Sequence, residues 1–235
     1  MLPTPSKLQE KFFDIPLHRY PADKILNPSL SLQLEIIHIK KILSLPPKAN
    51  LLEFGCGSGR ITIPFLAMGF NVLAVDISQE SLNDLKKIYL KNKKNDWGIL
   101  ELSESIPEKV KFDGIIGGDI LHHVNLEQYL PRLRLCLKKG HPAVFSEPNA
   151  WHPLWYPFVL MNWSVEKGLP KCSIPALSKA ISHAGFQKSE FAGHGLIPTR
   201  FLNLFPSLCR QNALYWGNRI ITKYFAFRLI VKAIA

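Results

Sequence analysis

Residues 51–60 read LLEFGCGSGR, from Leu51 to Arg60. Leu51, Leu52 and Phe54 form a short apolar strand that runs directly into Gly55, Gly57 and Gly59. Glycine accepts positive φ and lets other groups approach the backbone, so this spacing predicts a tight turn that opens a helix. Two acids mark the neighbourhood. Glu53 sits in the end of the strand, and Asp76 closes a second apolar run, NVLAVDIS, over 71–78. Strand, glycine turn, helix, strand and acid together outline a nucleoside-binding βαβ unit.

Outward from this unit, the chain keeps alternating. The helix after the turn should span Ser58–Met68, with Pro64 in its first turns or kinking it, and Gly69 as its stop. Ser78 should cap a helix over Gln79–Lys91, followed by a weak strand at Gly98–Leu102 and a clearer one at Phe112–Gly117. Asn125 should cap a helix to Lys139, bent near Pro131, before a strand at Ala143–Ser146. On the N-terminal side, a Pro-rich stretch precedes a helix capped by Ser29 or Ser31 and ended by Pro46-Pro47. Repeated βα order predicts an α/β fold with a doubly wound, parallel sheet. After residue 149 the pattern changes. Trp151, Trp155, Tyr156, Phe158 and Trp163 crowd a loop or short helix, followed by a helix at Ile174–Ala184 and a strand at Phe186–Phe191. A long insertion, Gly193–Lys223, leads to a last strand at Phe225–Ala235.

With 235 residues, 47% hydrophobic and 20% charged, the chain is a folded protein with a sizeable core. Cys56, Cys136, Cys172 and Cys209 are far apart and form no C-x-x-C pair, which argues against a zinc ribbon or disulfide scaffold. That usage predicts a reducing, cytoplasmic setting and no bound metal. The first 14 residues hold no apolar signal core, and no stretch approaches about 18 apolar residues. A net charge of +11 opens three classes of partner: nucleic acid, anionic lipid or an acidic substrate. Lys86, Lys87, Lys91, Lys93 and Lys94 read as a solvated helix face. In the C-terminal region, Arg200, Arg210, Arg219, Lys223, Arg228 and Lys232 interleave with Phe201, Phe205, Tyr215, Trp216, Tyr224, Phe225 and Phe227. Such a segment suits a peripheral membrane contact, or equally core aromatics with surface cations between them.

A dinucleotide-binding turn would place its third glycine at position 60, where this chain has Arg60; the third glycine falls at 59. A cofactor with no phosphate and a cationic centre fits better beside acids. The chain here resembles the class I S-adenosylmethionine-dependent methyltransferases, small-molecule branch. The resemblance rests on LLEFGCGSGR, on AVDIS at 74–78, on FDGIIGGDILHHV at 112–124 and on HPAVFSEPNAWHP at 141–153, and continues weakly through LSKAISHAGF at 177–186. It implies a Rossmann-like, mostly parallel seven-stranded sheet with an N-terminal helical segment and a C-terminal lid. One domain over 1–235 would divide into an N-terminal cap (1–46), a cofactor core (47–149), acceptor-side segments (150–223) and the last strand (224–235). The resemblance implies S-adenosylmethionine as cofactor and S-adenosylhomocysteine as product. Gly55, Cys56, Gly57 and Gly59 would run beside the methionine part, with Glu53 on its amino group or ordering the turn. Asp76 would hold the ribose hydroxyls and Ile77 the adenine, and Asp119 and Ile120 would line the sulfonium side. For the adenine amino group Glu101, Ser103 and Glu104 all compete, and Glu101 is preferred.

Methyl transfer needs alignment, and a base only where the acceptor must lose a proton. His122 and His123 follow Asp119 where the methyl group should lie, and Glu147 ends the fifth strand on the ligand-binding edge. These are the candidate catalytic residues, His123 first; each also reads as a turn-packing group. The expected acceptor is a small or lipid-like molecule enclosed by the aromatics of 151–163. The place after strand 4 reads Gly118-Asp119-Ile120-Leu121, not the N/D-P-P-Y/F of amino-methylating nucleic-acid enzymes, which leaves RNA as the alternative acceptor on charge alone. An inactive cofactor binder and an NAD-dependent oxidoreductase are the other readings, the latter disfavoured by Arg60.

Overall fold

Five strands run parallel: β1 (Asn50–Phe54), β2 (Asn71–Val75), β3 (Leu100–Ser103), β4 (Gly114–Gly118) and β5 (Pro142–Pro148). The structure, a computed structural model, describes residues 11–12, 14–15, 19–196, 216–217 and 220–235. Beyond β5 the sheet turns antiparallel through β6 (Lys188–His194), the two-residue β7 (Trp216–Gly217) and β8 (Arg228–Ile234). The order across the sheet is β3-β2-β1-β4-β5-β8-β6-β7. Seven principal strands therefore follow the expected architecture, and β7 is a short addition on the outer edge. The winding direction reverses between β1 and β4, which opens a crevice at their carboxyl ends.

Successive side chains of a strand point to opposite faces, and here each face has its own core. Leu52, Ile115, Phe145 and Val231 pack on one side; Leu51, Ile116, Val144 and Ile230 pack on the other. Covering both faces explains why these strands read as continuous apolar runs in the sequence.

The helices follow from local signals. Preceded by α1 (Ala22–Leu26), α2 (Leu30–Leu43) starts where the Ser29 hydroxyl accepts from the Leu32 N–H at 3.4 Å. Helix α3 (Thr62–Ala67) is shorter than expected, because 58–61 form turns. Pro64 thus falls in its first turn, where no N–H is needed and no kink arises. Ser78 caps α4 (Gln79–Asn92), and Asn125 caps α5 (Leu126–Cys136), which ends short of Lys139. The aromatic stretch folds as α6 (Trp155–Met161) and α7 (Trp163–Glu166), followed by a 3-10 turn (Leu169–Cys172) and α8 (Ile174–His183). Gly193 and His194 belong to β6, paired with Leu229 and Arg228, and not to an insertion. Phe225 ends α9 (Ile220–Phe225), so the last strand begins at Arg228, later than expected. Cys209 and the basic and aromatic residues at 200, 201, 205, 210, 215 and 219 lie outside the described residues. Among those described, no helix is long and apolar enough to cross a membrane.

Candidate active site

A cavity of about 1020 Å³ occupies the crevice. One end is walled by the glycine turn, Asp76 and Ile77, and by Glu104, Ser105 and Ile106 after β3. The other end is formed by Asp119 to Asn125, by Trp155, Phe158 and Glu166 of the lid helices, and by Pro148. Arg19, Tyr20 and Pro21 approach from the N-terminal segment.

The three glycines of the turn serve different ends. All have positive φ, at 74°, 51° and 98° for Gly55, Gly57 and Gly59. A Cβ at Gly55 would lie 2.5 Å from Ile120 Cγ1, so this glycine admits the loop after β4. A Cβ at Gly57 would meet nothing within 4 Å, so its bare backbone faces open cavity. Gly59 is not on the cavity wall; a Cβ there would sit 2.5 Å from Leu85 Cδ1. The structure therefore corrects its expected role. It makes room for α4 and does not line the cavity.

Asp76 leaves β2 onto the wall, where its carboxylate accepts from the Gly57 N–H at 2.7 Å and from the Ser78 N–H at 3.0 Å. Burial raises its pKa, against those N–H groups. Ile77 beside it is exposed. Glu53 lies behind the turn, only 1% exposed and off the wall, and its Oε2 has no hydrogen-bond partner. Burial pushes its pKa up to about 8, opposed by the Thr62 hydroxyl and Arg60. Cys56 is on the wall, but burial raises its thiol well above the usual range, so it is no thiolate nucleophile. Glu101 is exposed and does not reach the cavity, whereas Glu104 does. Strand alternation gives the reason: Leu100 and Leu102 pack inward, so Glu101 points away, and the acid beyond the strand end turns over the crevice.

Asp119, at φ 57°, carries one carboxylate oxygen 2.7 Å from Arg60 and the other 2.8 Å from Arg228. Burial favours its neutral form, but Arg228 and Arg60 prevail and hold it well below the ordinary carboxylate range. Arg228 also reaches Glu35 Oε1 at 3.1 Å and donates to the Ser146 carbonyl at 2.8 Å. This cation is thus buried and fully engaged, not part of a basic surface. Asp119 borders the cavity, as Ile120 does, but with its carboxylate committed to guanidinium groups.

Glu147 is completely buried and away from the cavity wall. Its Oε1 accepts from the Ile120 and Leu121 N–H groups at 3.0 Å, and its Oε2 lies 2.9 Å from His122 Nδ1. It cannot touch an acceptor, which corrects its place among the catalytic candidates; it anchors the loop after β4. His122 Nε2 meets Glu166 at 3.3 Å. Burial opposes a charge on His122, but its partners Cys172, Glu147 and Glu166 prevail and raise its pKa well above the ordinary value. These partners favour the charged form of His122, which argues against a role as base. For His123, burial and the neighbouring His122 charge lower the pKa to about 4, leaving a neutral imidazole on the cavity wall.

Several site residues had no separate mark in the sequence. Arg60 was visible only as a missing glycine. Glu35, Glu166 and Arg228 come from distant segments and carry no motif, and Cys172 counted only as an isolated cysteine.

Residues 52–140 match the family model of a methyltransferase domain. A ubiquinone biosynthesis O-methyltransferase of Pelagibacter ubique is 29% identical over 144 residues, covering 57% of this chain and 58% of that protein. The corresponding Rickettsia typhi protein is 32% identical over 106 residues, covering 43% of this chain and 42% of its own. The chain thus spans about half the length of the curated relatives it matches. A Thermotoga maritima S-adenosylmethionine-dependent methyltransferase, described as a possible histamine N-methyltransferase, superposes with a TM-score of 0.66 over 98% of this chain and 99% of its own. At 14% identity that likeness speaks to the fold. Residues 52–140 thus carry the match to a methyltransferase domain, and the sheet around them has the fold of an S-adenosylmethionine-dependent methyltransferase.

Proposed function

We propose that this protein binds S-adenosylmethionine and transfers its methyl group to a hydroxyl of a small or lipid-like aromatic acceptor. The observation that carries this reading is the single cavity that has Asp76 and the glycine turn at one end and a neutral His123 beside Trp155 and Phe158 at the other. Its volume, about 1020 Å³, is at the upper end of small-molecule sites, room for cofactor and acceptor together.

The residues fit the cofactor. Gly57 offers a cradle that a Cβ would fill. Asp76 offers two carboxylate oxygens to a vicinal diol. Glu53 stands buried just behind the turn, off the cavity wall, where it supports the turn and does not meet the ligand. Ile77 would flank the adenine, and Glu104, which lines the cavity where Glu101 does not, would take its amino group. When bound, the cofactor supplies a methyl group already activated on a sulfonium. The protein's part is alignment and proton removal. Trp155 and Phe158 enclose a planar acceptor and exclude water. His123, neutral above about pH 4, is too weak a base to ionise the free hydroxyl; its ring nitrogen accepts a hydrogen bond from that hydroxyl and takes the proton as the oxygen gains the methyl group and becomes strongly acidic. Oxygen as the target is favoured by that base and by the O-methyltransferase relatives.

A lipid-like acceptor is consistent with the outer face of the lid. Leu160, Met161 and Trp163 are exposed there, Met161 by 84%, and Lys167 stands nearby in sequence. Apolar side chains beside cations suit a peripheral contact with an anionic lipid surface in a cytoplasmic setting.

Calorimetry with S-adenosylhomocysteine and NAD, followed by transfer of labelled methyl groups to a panel of catechols, amines and RNA, tests the reading. Binding of S-adenosylhomocysteine with label on a catechol oxygen is expected. Binding of NAD alone, or label only in RNA, would overturn it, and binding with no transfer to any acceptor would leave an inactive cofactor binder.

A further inference from the structure

The lid and the turn after it meet the 122–124 loop at three points. Glu166 Oε2 stands 3.3 Å from His122 Nε2. Gly168 packs so closely that a Cβ there would lie 1.7 Å from the His122 carbonyl oxygen. Lys171 Nζ donates to the carbonyls of His122 at 3.4 Å and Val124 at 2.9 Å. On the other side of the ring, Glu147 takes His122 Nδ1 at 2.9 Å and is itself fixed by two backbone N–H groups. One nitrogen of His122 is therefore held by the sheet and the other by the lid. The His123 ring lies against it, centroid to centroid 3.9 Å, and the polar atoms of His122, His123 and Glu166 lie within 4.8 Å of one another.

We propose that Glu166 is a positioning residue: by pairing with His122 it locks the lid onto the 122–124 loop and sets the His123 ring at the acceptor end of the cavity. This rests on the reading of His123 as the proton acceptor. In that step the acceptor oxygen would gain the methyl group as the cofactor's C–S bond breaks and S-adenosylhomocysteine leaves, and the oxygen's proton would pass to a ring nitrogen of His123 and then to water; Glu166 and His122 exchange no proton. The groups facing His122 are Glu147, Glu166, Cys172 and His123, and those acting on His123 are His122, Glu166, Glu147 and Asp119. Two carboxylates favour the charged form of the first ring, and burial, followed by that neighbouring charge, favours the neutral form of the second at rest. Because Glu166 ends α7, its pairing with His122 ties the lid to the loop after β4.

Protein labelled with ¹⁵N-histidine, without cofactor, is compared as parent, Glu166→Gln and Glu166→Asp by imidazole ¹⁵N shifts between about pH 5 and 9. In the parent, His122 should stay doubly protonated through neutral pH. Glu166→Gln should move its titration down toward the free-imidazole range, and Glu166→Asp should restore part of the shift. In turnover, Glu166→Gln should lower kcat roughly tenfold to hundredfold, the cost of a misplaced group. Affinity for S-adenosylhomocysteine should stay within about twofold, because Glu166 makes no contact at the ribose end, and this also reports a folded variant. If neither histidine responds to Glu166→Gln while His123→Ala abolishes turnover, the positioning role is overturned and the base stands. Full turnover in His123→Ala overturns the base itself. A shift of both histidines on adding Zn²⁺ alone, lost in Glu166→Gln, would make the cluster a metal site and overturn the proposal.

Discussion

At the end of the cavity proposed for the cofactor, the wall comes from three short segments, 55–58, 76–77 and 104–106, and the contacts of Asp76 use backbone N–H groups. At the acceptor end, His122 is held by Glu147 from β5 and Glu166 from the lid, and Cys172 from the turn beyond the lid donates to Glu147. Beside it, Asp119 is held by Arg60 and by Arg228 from the last strand. One end is a local device of backbone and glycine. The other is a set of buried charges that exists only once distant segments meet. Buried charges without partners are expensive, so the second end should fail as a unit, whereas the first should fail one contact at a time.

The largest expected effect falls on the charge network. Arg228→Met leaves Glu35 and Asp119 without a shared cation and should cost about 3–5 kcal/mol of stability in urea unfolding. Arg228 and Arg60 lower the Glu35 pKa against its burial. The stability this gives is present above the ordinary carboxylate pKa and lost as pH falls through the lowered one, so parent and variant should converge in acid. A loss below about 1 kcal/mol at neutral pH would put the network in the class of surface pairs and break the comparison.

Next comes His123→Ala, which should reduce kcat by about 100-fold or more on a hydroxyl acceptor with S-adenosylhomocysteine affinity retained. Asp76→Ala should do the reverse. It removes charge-assisted hydrogen bonds at the ribose and should weaken S-adenosylhomocysteine binding roughly tenfold to hundredfold with the fold intact, as read by calorimetry. If one variant disturbed both readouts equally, the two ends would not be separable.

The smallest effect concerns Glu53. Its folded pKa, about 8, lies above that of an unfolded glutamate, so the folded state holds a proton the unfolded state has released. Between the two values stability should fall as pH rises, by linkage. Glu53→Gln should flatten that slope in thermal melts from about pH 5 to 8, matching the parent at the acid end and exceeding it at the alkaline end. Parallel melting curves for parent and variant would show that Glu53 ionises normally.

Much of this was legible in residues 51–78. Strand, turn and acid are contiguous, and each step has a local physical cause: apolar strands, glycines at positive φ, Ser78 as a cap. Even there, the sequence could not separate Gly57 from Gly59. Both are glycines at positive φ, and only the position of Leu85 on α4 shows that the second is a packing residue. Glu101 was misread for a similar reason, since the register of β3 against β2 decides which acid turns toward the crevice. Glu147 looked available because it ends a strand at the ligand-binding edge, yet the loop after β4 folds back and takes both of its oxygens. Arg228 looked like a surface cation between aromatics and is instead a buried partner of two acids.

The sequence by itself determined the parallel α/β order, the cofactor turn and Asp76, because those depend on propensity, periodicity and contacts between near neighbours. Only the tertiary structure decided the charge states of His122 and His123, the commitment of Asp119 and Glu147, and the part played by Glu166. Those properties depend on burial and on which charges stand within a few ångströms, and residues far apart in the chain carry no local signal of that.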